Sequence, residues 1–191
     1  MIIGLTGNSG SGKTAVSDYL SKKYAYVLDC DKIYHELLSE SPEMKKELIG
    51  LFGKSIIEDN KINRKALGEI VFNNDKKLKL LNRVAHKYVI IEVEKRIASY
   101  KGDKKLIVID APLLIEAGLH EICDEVWVID APLEIKAERI SIRDHISIEK
   151  AKQRLSKQMN PEELKKYADH IIENTGSLHE LLSYVDALVK I

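Results

Sequence analysis

Short apolar runs alternate with longer stretches in which apolar residues recur every three or four positions. Five runs have the length and composition of strands: Ile2–Thr6, Tyr26–Asp29, Leu106–Asp110, Glu125–Asp130 and His170–Glu173. The third is apolar at every position from Leu106 to Ile109, as expected when both faces of a parallel sheet are covered. Strands that alternate with helices predict an α/β fold, a five-stranded parallel sheet flanked by helices with right-handed crossovers.

Helical spacing fills most of the remaining chain. Predicted helices cover Lys13–Lys23, Lys32–Ser39, Pro42–Phe52, Arg64–Phe72, a long stretch from Asp75, Ser147–Met159 and a last helix opened by the capping box at Ser177 and Glu180. The long helix has an apolar stripe, namely Leu78, Leu81, Ala85, Val89, Val93 and Ile97. Two helical regions, about 32–100 and 134–160, interrupt the alternation. We therefore expect one domain whose core comprises residues 1–31, 101–133 and 161–191, with an inserted helical lobe and a helical lid.

The composition limits the binding partners and the location that the sequence predicts. The 191 residues include 30 basic and 30 acidic side chains, so no overall field draws the protein to nucleic acid or an anionic membrane. Two cysteines without metal-ligand spacing indicate packing thiols, although a single bridge between Cys30 and Cys123 is the alternative. There is no run of 18 apolar residues and no basic segment before the first strand. We expect a cytoplasmic protein and, most simply, a monomer.

A glycine-rich segment follows the first predicted strand and opens the first predicted helix. Gly7-Asn8-Ser9-Gly10-Ser11-Gly12-Lys13-Thr14 fits the Walker A pattern of P-loop proteins. Glycines allow the backbone to approach phosphate closely, and the loop N–H groups and helix N-terminus favour the bound negative charge. Lys13 would contact the β and γ phosphates and Thr14 would bind Mg²⁺. The segment predicts a site for the phosphates of a nucleotide.

Asp110 ends the apolar strand, which is the position of a Walker B carboxylate that holds Mg²⁺ directly or through water. A P-loop alone does not define a function. The sequence lacks the N-K-x-D motif of a GTPase, and Asn174-Thr175-Gly176-Ser177 does not replace it. A small-molecule kinase is favoured, and it requires arginines that close over the transferred phosphoryl group.

Arg139 and Arg143 are four residues apart and would share one helix face, where both could contact phosphate. The alternative is a solvated charged face, because Glu138 and Asp144 are neighbours. On the acceptor side, Asp31 follows the second strand and is a candidate general base. Equally, Asp29 and Asp31 could simply stabilise the start of the next helix. Arg64 and His86 are candidates for acceptor binding.

The assembled segments resemble the dephospho-coenzyme A kinase family over nearly the whole chain. The matching segments, in order, are the P-loop, Leu28-Asp29-Cys30-Asp31, Phe52-Gly53, Asn63-Arg64, Leu67-Gly68, Val71-Phe72, Leu81-Asn82 with His86, Pro112–Glu116, Glu138-Arg139, Arg143-Asp144, Arg154 with Gln158-Met159, Ala168-Asp169 and Asn174. Each is short, but their order and spacing are difficult to obtain by chance.

The resemblance implies phosphorylation of the ribose 3′-hydroxyl of dephospho-coenzyme A by ATP with Mg²⁺, the last step of coenzyme A synthesis. By position it implies that Asp31 is the base and that Arg64 and His86 contact the acceptor. It implies that Arg139 and Arg143 are lid residues that reach the ATP phosphates, and that the loop at Asn174 lies near the adenine.

Several positions depart from the family pattern. Lys87 follows His86 where the family usually has proline, Cys30 stands in the D-A-D segment, and Lys136 replaces a frequent glutamine. None of these changes removes a group needed for phosphoryl transfer. Two alternatives remain on sequence grounds: a P-loop kinase for another small acceptor, such as a nucleoside or a shikimate-like compound, and a catalytically idle nucleotide-binding module.

Overall fold

A computed structural model describes residues 1–72 and 74–189. Its strands are β1 (Ile2–Thr6), β2 (Ala25–Asp29), β3 (Ile57–Glu58), β4 (Lys61–Ile62), β5 (Leu106–Asp110), β6 (Glu125–Asp130) and β7 (His170–Glu173). Its helices are α1 (Lys13–Lys23), α2 (Cys30–Glu40), α3 (Pro42–Phe52), α4 (Arg64–Phe72), α5 (Asp75–Ser99), α6 (Leu133–Asp144), α7 (Ile148–Leu155), α8 (Pro161–Lys165) and α9 (Leu178–Val189). The chain forms two compact units. The sheet unit comprises Met1–Leu28 and the described residues from Lys101 onward, and the helical unit comprises Asp29–Tyr100.

The sheet unit is built on five strands in the order β2-β5-β1-β6-β7. The central strand β1 pairs in parallel with both neighbours, so that Leu5 lies opposite Asp110 on one side and Trp127 on the other. Ile3, Leu5 and Trp127 are almost completely buried. Because the carboxyl ends of parallel strands meet at one edge, the loop after β1 lies between Asp110 and the end of β6.

Helices α6 and α7 form a hairpin within the sheet unit. Their facing residues Ala137, Ile140, Ala151 and Leu155 make a small buried cluster of their own. The C-cap of α6 is His145, which has a left-handed backbone with φ of 53°. The two helices therefore pack through an apolar contact, although most of the residues around it in the sequence are charged.

The helical unit packs around α5. Met44, Leu48 and Ile56 from neighbouring segments meet Leu81 and Val84 of α5 in one buried cluster. Strands β3 and β4 form a short antiparallel hairpin whose turn residues Asp59 and Asn60 have positive φ, as a two-residue turn requires.

The predicted five-stranded sheet and its flanking helices are confirmed, with differences in detail. Leu78, placed on the buried stripe of α5, is 40% exposed, because burial of this helix begins one turn later at Leu81. The helix predicted to reach Met159 ends at Leu155, where hydrogen bonds from the N–H groups of Lys157 and Gln158 reach back only three residues and close the last turn. The β3–β4 hairpin and α8 were not predicted. Cys30 and Cys123 are free thiols, and no described helix has the length and apolar character of a membrane span.

Candidate active site

The loop Gly7–Gly12 joins β1 to α1 at the centre of the sheet edge. Gly10 and Gly12 have left-handed backbones, with φ of 79° and 105°, and Gly12 is the N-cap of α1. The Ser11 N–H donates to the Asn8 carbonyl oxygen over 3.0 Å, which closes a turn inside the loop. The first N–H groups of a helix have no intrahelical acceptor, so the start of α1 can receive phosphate oxygens.

Glycine is required in this loop because other segments of the protein lie so close to it. A Cβ on Gly10 would lie 2.6 Å from the carbonyl oxygen of Lys136, and one on Gly12 would lie 2.2 Å from Nδ2 of Asn174. Both contacts are shorter than a side chain can accept. The loop is thus pressed between α6 and the segment after β7, an arrangement that the Walker pattern alone does not reveal.

Lys13 and Asp110 form an ion pair at the mouth of the loop. Both side chains are largely buried, with 15% and 9% of their surfaces exposed. Thr14, the next residue of α1, is exposed. The residues that the sequence assigned to phosphate and to Mg²⁺ therefore meet, and the carboxylate that could bind a cation is neutralised by the lysine.

Arg139 and Asn174 lie against the back of the same loop. Arg139 donates to the carbonyl oxygen of Gly10 over 3.1 Å and to that of Ser11 over 3.4 Å. The buried Asn174 amide donates to the Ser11 carbonyl over 2.7 Å. In a trans peptide the C=O and the following N–H point in opposite directions. The Asn174 bond therefore turns the Gly12 N–H away from Asn174, toward the opposite face of the loop.

Asn8 and Ser9, the remaining loop positions of the predicted site, form hydrogen bonds with Gln158 and Met159 beyond α7. The sequence placed both partners in a segment that resembles the family but assigned them no role. Nothing in the local pattern indicates that a segment about 150 residues away in the chain would meet the loop.

The sequence model of the family described as "Dephospho-CoA kinase" matches residues 1–180. The chain belongs to this dephospho-CoA kinase family. A dephospho-CoA kinase of Fusobacterium nucleatum is 42% identical over 187 residues, which cover 97% of this chain and 95% of that protein. The solved dephospho-CoA kinase of Campylobacter jejuni matches with a TM-score of 0.73 and 31% identity, over 99% of this chain and 95% of that one.

A more distant likeness concerns the fold alone. Shikimate kinase from Acinetobacter baumannii matches with a TM-score of 0.57 at 19% identity, over 98% of this chain and 92% of that one. The sheet unit accordingly has the P-loop NTPase fold that was predicted.

Arg143 lies one turn beyond the loop-binding Arg139, in the last turn of α6. It donates to both carboxylate oxygens of Asp144, over 2.7 and 3.0 Å, and Arg154 donates to the same carboxylate over 2.6 Å. The two arginines keep the pKa of Asp144 below its ordinary value, with the Arg143 hydrogen bond as the main cause. Arg143, one of the two predicted lid arginines, is thus joined to Arg154 through one acid, whereas Arg139 contacts the phosphate loop.

Lys136, near the start of α6, is another residue without a predicted role. It is only 3% exposed and donates to Asp130 at the end of β6 over 2.7 Å, while Lys165 of α8 pairs with the same carboxylate over 3.1 Å. Burial pushes the pKa of Asp130 upward, but the hydrogen bonds from the two lysines hold it below its ordinary value. This cluster fixes the base of α6 where the helix meets Gly10.

The predicted acceptor residues lie in the helical unit. Asp31 is in the first turn of α2, just after Asp29, whose side chain caps that helix by accepting from the Lys32 N–H over 3.0 Å. Arg64 begins α4 and is exposed. His86 is half-buried in α5, and burial lowers its pKa below the ordinary value.

His35, to which the sequence assigned no role, approaches Arg64. It follows Asp31 by four positions on α2, so the two side chains lie on one helix face. Its Nε2 is 3.4 Å from Nη2 of Arg64. The spacing of Asp31 and His35 was visible in the sequence, but the approach of Arg64 depends on how α4 packs within the helical unit.

Proposed function

We propose that this chain transfers the γ-phosphoryl group of ATP to the ribose 3′-hydroxyl of dephospho-coenzyme A, giving coenzyme A and ADP, the final step of coenzyme A synthesis. The observation that carries the proposal is a braced phosphate loop, with Lys13 and Asp110 paired at its mouth, in a chain of the dephospho-CoA kinase family. A loop already shaped for phosphate requires little reorganisation when ATP binds.

Lys13 would exchange Asp110 for the β and γ phosphates of ATP, with the loop N–H groups as further donors. Asp110 and the Thr14 hydroxyl supply oxygen ligands of the kind that Mg²⁺ takes when substrate phosphates complete its coordination. Bound there, Mg²⁺ would neutralise negative charge on the transferred phosphoryl group. The buried carboxylate beside an exposed hydroxyl fits this use.

A cavity of about 510 Å³ lies beside Asn174 and is lined by Glu173, Thr175, Gly176 and Tyr184 among others. We assign the adenine to this neighbourhood. The side chain of Asn174 itself faces Ser11 and Arg139. Contacts to the base would therefore come from the segment that follows it.

For the transfer step, we assign Asp31 as the base that orients and deprotonates the acceptor hydroxyl. Arg64 and His86 would contact the acceptor, and His35 is placed to assist Arg64. Arg143 would stabilise the charge of the transferred group, since its contacts with Asp144 leave other N–H groups of its guanidinium unused. Arg139 holds the loop from its carbonyl side, so we propose that it acts on the same charge by keeping the loop N–H groups in place.

The direct test is ADP release, measured by a coupled assay with a panel of acceptors that includes dephospho-coenzyme A, a nucleoside and shikimate. We expect turnover with dephospho-coenzyme A alone, and a product that carries one additional phosphoryl group on the ribose. Turnover with another acceptor and none with dephospho-coenzyme A would overturn the proposal. Tight ATP binding without turnover on any acceptor would indicate an idle nucleotide-binding module.

We also propose that the enzyme acts in the cytoplasm as a monomer, without nucleic acid or membrane. Equal numbers of basic and acidic residues give no general attraction to polyanions. The molar mass of the purified chain in solution, measured by light scattering, tests whether it is a monomer.

A further inference from the structure

The chain leaving α7 passes along the first half of the phosphate loop. At this point three hydrogen bonds of 3.0 Å join the two segments: the Ser9 N–H donates to Oε1 of Gln158, Nε2 of Gln158 donates to Oγ of Ser9, and Nδ2 of Asn8 donates to the Met159 carbonyl. All four residues are half-buried. The contact involves no formal charge.

Only a carboxamide side chain can make both hydrogen bonds to Ser9. Gln158 presents an acceptor and a donor side by side, and Ser9 presents the complementary N–H and hydroxyl oxygen. An aliphatic side chain of the same length could do neither. The tight last turn of α7, in which the Gln158 N–H donates to the Leu155 carbonyl, sets the side chain at this position.

This contact determines the direction of one loop donor. The Ser9 N–H points to Gln158, so phosphate must be held by N–H groups later in the loop and at the start of α1. Asn8 is fixed at both ends, because its carbonyl accepts from Ser11 while its side chain donates to Met159. The turn from Asn8 to Ser11 is therefore attached to the end of the α6–α7 hairpin.

The second half of the loop has separate supports, namely Arg139 and Asn174 on the carbonyls of Gly10 and Ser11. Removing Gln158 would leave those supports intact and would free the Ser9 N–H and hydroxyl. The loss would then fall on the first half of the loop.

We infer that Gln158 is a positioning residue for nucleotide binding: its carboxamide fixes Ser9 and ties the exit of the α6–α7 hairpin to the phosphate loop. It acts through the loop and has no contact with reacting atoms in this assignment. The inference rests on the proposed nucleotide site but not on the identity of the acceptor.

The experiment is a double-mutant cycle between Gln158 and Ser9, with ADP affinity measured by calorimetry on the full chain without acceptor. Gln158→Leu should weaken ADP binding about tenfold, as expected for two lost hydrogen bonds, one of which leaves an N–H unsatisfied. Ser9→Ala should weaken it less, about threefold, because only the hydroxyl contact is lost. Added to the Gln158→Leu variant, Ser9→Ala should have no further effect, since its partner is already absent.

Gln153→Leu is the matched control, because Gln153 is exposed on α7 and the substitution is the same. Gln158→Asn, which is one methylene too short to reach Ser9, replaces the leucine variant if that one does not fold. In turnover, KM for ATP should rise while KM for dephospho-coenzyme A stays unchanged. Additive effects in the cycle, or ADP affinity within about twofold of the parent in folded Gln158→Leu, would overturn the inference. If the parent itself does not bind ADP, the proposed nucleotide site fails instead.

Discussion

The two units of the chain differ in how their candidate functional residues are held. In the sheet unit, Lys13 pairs with Asp110, and Arg139 and Asn174 bind the carbonyls of the phosphate loop. Each of these groups is fixed by the protein before any nucleotide is present. In the helical unit, Arg64 approaches His35 and is exposed, and His86 lies on a third helix, half-buried.

This difference corresponds to the chemistry of the two substrates. A phosphate group has one shape, so a rigid set of donors can be prepared for it in advance. We propose that an acceptor with several parts is bound by residues on several helices, whose arrangement matters only when the acceptor is present. The contrast predicts that losses in the sheet unit change nucleotide binding by themselves, whereas losses in the helical unit become visible when the acceptor is added.

The largest effect should come from Lys13→Ala. The variant loses the charge that we propose contacts the β and γ phosphates, and it leaves Asp110 without its cation. We expect activity to fall by several orders of magnitude, with loss of ATP affinity measurable without acceptor. Steady-state ADP release and ATP calorimetry measure the two effects, and circular dichroism checks the fold.

Lys22→Ala is the control, because Lys22 is exposed near the end of the same helix. A folded Lys13→Ala variant that keeps more than about a tenth of the activity would refute the loop assignment, since a lost charge-assisted contact costs more than about 1.4 kcal/mol.

Asp31→Asn tests the helical unit and should have the next largest effect. Asparagine keeps the shape and an acceptor oxygen but cannot take a proton at neutral pH. We expect kcat to fall about 10²-fold, near the lower end of general-base catalysis, because the transition state of phosphoryl transfer is loose. ATP affinity without acceptor should be unchanged.

Asp29→Asn is the matched control, since asparagine caps a helix as well as aspartate does and Asp29 caps α2. If Asp29→Asn is inactive while Asp31→Asn turns over at the parent rate, the base has been assigned to the wrong carboxylate.

The two arginines of α6 allow a comparison within the sheet unit. Arg139→Ala should lower kcat and also raise KM for ATP, because this side chain supports the loop carbonyls. Arg143→Ala should lower kcat about tenfold with little change in KM, as expected for one charged contact made in the transition state. Steady-state kinetics separates the two patterns. Lys150→Ala, at an exposed position on α7, is the control. If both arginine variants had the kcat of the parent, the arginines would belong to a solvated charged face.

Much of the fold could be predicted because its signals are local. The apolar run Leu106–Ile109, the glycine loop before Lys13 and the capping box at Ser177 each determine structure within a few residues. The capping box is observed, with Glu180 accepting from the Ser177 N–H over 2.6 Å. The exposure of Leu78 could not be predicted, because it depends on where neighbouring segments begin to cover α5.

The candidate site divides in the same way. Lys13 and Asp110 were predictable, since a Walker loop and the end of a neighbouring strand must meet at one edge of a parallel sheet. Gln158 and Lys136 were not, because their partners Ser9 and Asp130 are brought to them by tertiary packing. The same holds for His35, which reaches Arg64 across 29 positions of sequence.

The smallest predicted effect concerns His86 and the pH dependence of stability. Burial lowers the pKa of this imidazole below its ordinary value of 6.5, so the unfolded chain binds more protons here once the pH falls below about 6.5. Stability is therefore full at higher pH and declines as the pH falls through that value. His86→Gln should reduce the difference in Tm between pH 8 and pH 5.5, whereas His179→Gln, at an exposed position, should not.

Repeating the Tm measurement with dephospho-coenzyme A added tests whether a residue of the helical unit responds to the acceptor and not to the nucleotide. If an acceptor phosphate lies beside His86, dephospho-coenzyme A should favour the charged imidazole and offset the decline in Tm at low pH in the parent but not in His86→Gln. ADP alone should give the same stabilisation in both proteins, since the phosphate loop does not include this residue. An equal response of parent and variant to dephospho-coenzyme A at pH 5.5 would remove His86 from the acceptor site and leave its burial as a feature of helix packing.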